Sequence, residues 1–130
     1  MSYLLDTPTL AEVLRATPNQ GFVRRLSQIP PHERYTSAIT VSQLLLAARL
    51  DQSAKLMQDV IQLVAAIRVA AYDLNAAQRF AKFRAAGATQ QTDDVMVAAI
   101  AISRDFTLVS SRRRVFRGFE GLRLEDWTSG

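Results

Sequence analysis

The chain has 130 residues, 48% of them apolar, which is enough for one closed hydrophobic core and implies a single domain over residues 1–130. Lys and Arg number 16 against 12 Asp and Glu, a formal charge of +4, and this mild excess suits a polyanionic partner. Cysteine is absent, which excludes disulfides and thiolate sites, and His32, the one histidine, lies in a loop beside Pro30-Pro31, which leaves no zinc-binding His cluster and no credible Ser-His-Asp triad. A cysteine-free chain is compatible with a cytoplasmic location. Any metal site would be built from oxygen, which points to Mg²⁺ or Mn²⁺. No basic segment opens the chain and Asp6 interrupts the first apolar run, so no signal peptide is expected. The longest apolar run, Val95 to Ile102, is too short to cross a bilayer, and no membrane association is expected.

Taken in order, Ser2 to Leu5 reads as a strand, and Thr9 to Ala16 as a helix ending before Pro18. Gln20 to Gln28 reads as a second helix, stopped by Pro30-Pro31. Tyr35 to Ile39 is strand-like, with Thr40 capping a helix through Leu50 and Ser53 capping another over Ala54 to Ala65. Ile67 to Ala71 is a short β-like stretch. Asp73 caps the next helix, which Gly87 closes. Thr92 opens a helix through Ser103, Phe106 to Val109 is a strand, Arg112 to Phe116 one helical turn, and Leu122 to Leu124 a last short strand. Repeated strand–helix alternation argues for an α/β fold with a mostly parallel sheet flanked by helices.

Two places stand out as candidate sites. Asp6 follows the apolar Tyr3-Leu4-Leu5 and precedes Thr7-Pro8, so its carboxylate falls at the carboxyl edge of a sheet, where open α/β folds bind ligands. The plainer reading is that it helps Thr7 cap the helix, with Pro8 at the first helical position. Asp93 and Asp94 open a helix whose body, Val95 to Ile102, is apolar all round and therefore buried. A favourable dipole interaction of roughly 0.3–1 kcal/mol explains one such aspartate. Two of them, facing a third at a strand end, suit a cation site.

Tyr3-Leu4-Leu5-Asp6-Thr7, Asp94-Val95-Met96-Val97-Ala98-Ala99-Ile100-Ala101, Thr107-Leu108-Val109-Ser110 and Gly121 to Trp127 together resemble PIN domains, especially the VapC-type toxins of bacterial toxin–antitoxin pairs. The resemblance covers essentially the whole chain. It implies a three-layer α/β/α fold with an acidic pocket at the carboxyl edge of a parallel sheet. There, four acidic or near-acidic positions bind Mg²⁺ or Mn²⁺, and the ion activates water to cleave an RNA phosphodiester. Carried over by residue, Asp6 and Asp94 keep two positions as catalytic and metal-binding groups, and Asp93 could add a third carboxylate. Gln43, in Thr40-Val41-Ser42-Gln43, stands where the family has Glu, and Arg112 falls near its fourth position.

Gln keeps a carbonyl oxygen but loses the charge, and an Arg facing the pocket opposes a divalent ion. Unit charges about 4 Å apart interact by roughly 4 kcal/mol at an effective dielectric near 20, so the pocket should bind Mg²⁺ weakly or not at all. Two readings follow: an endoribonuclease with an altered site, or a PIN-fold protein that only binds RNA or a partner. Ser110, Ser111, Arg112, Arg113 and Arg114 are candidate phosphate contacts, although a solvated surface turn is the usual fate of such a run. The resemblance also implies a homodimer and an antitoxin partner. The apolar-rich helices Val41 to Leu50 and Leu56 to Ile67 are candidate interfaces.

Overall fold

Tyr3, Leu4 and Leu5 are all buried, as expected of a strand covered on both faces, and they form the middle of the sheet. In the computed structural model, which describes residues 1–129, five parallel strands stand in the order β3-β2-β1-β4-β5. They are β1 (Tyr3–Leu5), β2 (Arg34–Ser37), β3 (Arg68–Ala70), β4 (Thr107–Val109) and β5 (Leu124–Glu125). The helices are α1 (Thr7–Ala11), α2 (Gln20–Ser27), α3 (Ala38–Leu50), α4 (Ala54–Ala66), α5 (Leu74–Ala85), α6 (Thr92–Ser103) and α7 (Arg113–Phe116).

Side chains alternate across a strand, so β1 and β4 divide their residues between two cores. Leu4 and Leu108 join Ala76 of α5 and the α6 residues Val95 and Val97 to Ala101 on one face. Tyr3, Leu5 and Val109 join Leu10, Phe22, Leu44, Val60 and Trp127 on the other. These are the helical layers of an α/β/α sandwich, and α6 is apolar all round because it lies between the sheet and α5. The chain winds from β1 out to β3 on one side and from β4 to β5 on the other. The β1/β4 junction is therefore the switch point, and the loops above it gather the candidate site.

Three boundaries differ from the sequence expectation for local reasons. Asp6 is itself the cap of α1, accepting from the Thr9 N–H, so Thr7 is the first helical residue; the helix ends at Ala11 and tightens into a 3-10 turn over Glu12–Leu14. β2 runs over Arg34–Ser37, because the extended Ser37 caps α3 by accepting from the Thr40 N–H at 3.0 Å. Ala38 and Ile39 are apolar because they belong to the first turn of that helix. The last strand is Leu124–Glu125, set by pairing with Leu108 and Val109. Ser53 and Asp73 cap α4 and α5 as expected, and Gly87, with φ +101°, follows the end of α5.

Candidate functional site

Register alone brings the first group together. Leu5 pairs with Val109 on one side and Thr36 on the other, so the next residues, Asp6, Ser110 and Ser37, emerge side by side at the carboxyl edge. Asp6 is 3% exposed, and its carboxylate accepts from the Ser110 hydroxyl at 2.5 Å and from the Thr9 N–H at 3.1 Å. Ser110 in turn accepts from the Arg112 N–H at 2.9 Å. Burial pushes the Asp6 carboxyl above its ordinary range; the hydrogen bonds from Ser110 and Thr9 and the charge of Arg112 oppose that shift without cancelling it.

The amino end of α6 supplies the second group. Asp94 is 9% exposed, and the Arg112 guanidinium donates to both of its carboxylate oxygens, each at 2.9 Å. This bidentate pair is the strong form of a charge-assisted bond, and it raises the Arg112 pKa above its ordinary value. Asp93 points to solvent and accepts from Gln43 Nε2 at 2.9 Å. The Gln43 carbonyl oxygen accepts from the Thr7 hydroxyl, which also reaches Thr40 at 3.3 Å. Ser37 completes this string of hydroxyls by donating to Thr40.

The structure thus brings Asp6, Asp94, Asp93, Gln43, Ser110 and Arg112 to one edge of the sheet. The phosphate candidates divide. Ser110 is buried with its hydroxyl engaged, whereas Ser111, Arg113 and Arg114 are exposed. Arg113 lies 3.9 Å from Asp126, and among the described residues Arg114 forms no ion pair. Thr7, Ser37 and Thr40 belong to the hydrogen-bond network of the site, although the sequence offered Thr7 and Thr40 only as helix caps and did not offer Ser37. Ser37 was hidden inside an apparent strand, and its position before an apolar helical turn was the available signal.

The donor set can be compared with the needs of Mg²⁺ or Mn²⁺, which favour several free oxygen ligands. Among the described residues no three acidic or histidine side chains converge as a metal-ligand group. Arg112 takes both Asp94 oxygens, Asp6 is bonded to Ser110 and Thr9, and the Gln43 oxygen is taken by Thr7. As placed, these residues do not fit a divalent ion.

The PIN domain family matches residues 3–121. The chain is 26% identical to the tRNA(fMet)-specific endonuclease VapC of Salmonella typhimurium, covering 98% of both chains. It is 30% identical to the plasmid stability protein StbB of Pseudomonas syringae pv. tomato, over 82% of this chain and 85% of that one. Among solved structures, DNA-bound VapBC from Salmonella typhimurium superposes with a TM-score of 0.86 at 26% identity, covering 98% of each chain. VapBC-1 from nontypeable Haemophilus influenzae superposes with a TM-score of 0.87 at 23% identity, covering 99% of this chain and 100% of that one, which speaks to the fold alone.

Proposed function

The chain belongs to the PIN domain family, in its VapC-type branch, and from that premise we propose an RNA-engaging protein of the toxin–antitoxin kind whose cleavage is weak or lost. The observation that carries this reading is the pair of carboxylates at the switch point, Asp6 and Asp94, with Arg112 clamped on the second. A divalent ion in such a pocket would supply activated water. The side chains as placed fall short of its donor set. What they offer instead is phosphate recognition: Arg114 and Arg117 are exposed beside the pocket, and guanidinium groups suit phosphate oxygens. A tRNA is the first substrate to try, because the Salmonella typhimurium relative is a tRNA(fMet)-specific endonuclease.

The test is retention and cleavage of mixed RNA and tRNA by the full chain with Mg²⁺ or Mn²⁺, alongside Asp6→Asn. RNA retention with little or no cleavage is expected. Cleavage abolished by Asp6→Asn would sink the second reading, a PIN-fold protein that only binds RNA or a partner; robust wild-type turnover would sink attenuation; and no retention of any RNA would sink the RNA reading altogether.

The same reading includes an antitoxin partner, supported by the likeness to VapBC from Salmonella typhimurium at 26% identity, and a cytoplasmic location. Among the described residues no helix is long and apolar enough to cross a membrane. It also includes a homodimer, supported by Leu46 and Leu50 on α3 and Ile61 on α4, which are 57%, 75% and 56% exposed.

A further inference from the structure

Asp93 and Asp94 are adjacent carboxylates, and Asp6 lies close enough for its charge to act on Arg112. Asp6 and Asp94 are buried while Asp93 is exposed at the rim, and buried groups of like charge repel unless something positive stands among them. Arg112 is the positive group here: its guanidinium lies on both Asp94 oxygens, its backbone N–H is tied through Ser110 to Asp6, and its guanidinium carbon sits 5.7 Å from the centroid of the Phe116 ring. Gln43 performs the neutral half of the same task. It is anchored by the Thr7 hydroxyl and directs its amide N–H at Asp93. The two residues at which the chain departs from the acidic pattern are therefore the two that hold the tandem aspartates, one each.

We infer that the Arg112 guanidinium is the resident cation of this pocket and, with Gln43, holds Asp93 and Asp94 in the place a bound divalent ion would take. The wild-type pocket then stands complete without metal, and loss of Arg112 creates a demand for one. The inference rests on reading this pocket as the functional site, but it does not depend on RNA.

The test is thermal melting of the full chain in EDTA and in millimolar MnCl₂, with calorimetric titration of MnCl₂ alongside. Wild type is expected to melt at the same temperature in both. Arg112→Asp should melt lower than wild type in EDTA and gain roughly 5 °C or more with Mn²⁺. Adding Asp6→Asn should remove that gain. Arg112→Gln removes the charge without adding a carboxylate and covers the case in which the aspartate variant fails to fold; it should show a smaller Mn²⁺ gain. A gain in wild type as large as in the Arg112 variants overturns the inference, as does no gain in either variant. RNA retention is read separately, so its failure would fall on the RNA reading while leaving the Mn²⁺ result to stand.

Discussion

Asp6 has two simultaneous duties, capping α1 through Thr9 and accepting from Ser110, and both are carried out at 3% exposure. A buried carboxyl whose pKa is raised is ionised later in the folded state than in the unfolded one. The folded state therefore holds more protons between the ordinary value of 3.8 and the raised value, and stability falls as pH rises through that window. Asp6→Asn keeps a capping oxygen and removes the buried charge, so it is expected to abolish this part of the pH dependence and to melt higher than wild type at neutral pH. Urea midpoints measured from acid to neutral pH for both chains check it. Gln43→Glu replaces the amide donor to Asp93 with a second carboxylate and should cost about 1 kcal/mol at neutral pH, with the loss relieved on acidification. Denaturant titration at the two pH values measures that difference.

Among the elements, α6 contributes most to the core: Val95, Ala98, Ala99, Ile100 and Ala101 are all fully buried. Ile100→Ala should cost about 2–5 kcal/mol, and a urea midpoint is enough to see it. Ser37→Ala removes the cap of α3 and should cost about 1 kcal/mol, visible in the same experiment. The alternation of strands and helices was legible because each signal is local, and so were Asp6 and Asp94, a strand-end acid and an acid before an apolar helix. The pairing inside the pocket was not. Gln43 meets Asp93 across 50 positions and Arg112 meets Asp94 across 18, and such contacts are set by strand register and loop course, which leave no periodicity to read. The strand expected over Tyr35 to Ile39 ends two residues early, at Ser37, for a related reason: apolar residues in the first turn of a helix look like the end of a strand.

At the scale of the whole molecule, the charge balance is a weak guide and the distribution a better one. Arg113, Arg114 and Arg117 lie exposed on or beside one short helix next to the pocket, so RNA retention should weaken with salt. Removing one phosphate-contacting Arg should lower the slope of log affinity against log salt by about 0.7 for a single strand. Arg114→Ala, measured by filter binding over a salt series, tests this, and an unchanged slope would place the RNA elsewhere. The proposed dimer is tested by Leu46→Asp with Leu50→Asp, which should lower the solution mass to that of a monomer if α3 forms the interface.

The position of Trp127 gives the molecule an optical reporter. This sole tryptophan, 6% exposed, packs with ring centroids 5.3 Å from Tyr3 and 6.3 Å from Phe22, under the Arg25 guanidinium. It belongs to the helical layer of α1 to α4 and has no part in the one built on α5 and α6. Its emission therefore follows one half of the sandwich, whereas far-ultraviolet circular dichroism follows both. Coincident denaturation curves from the two signals would mean that the layers come apart as one cooperative unit, and separated curves would identify the half that lets go first.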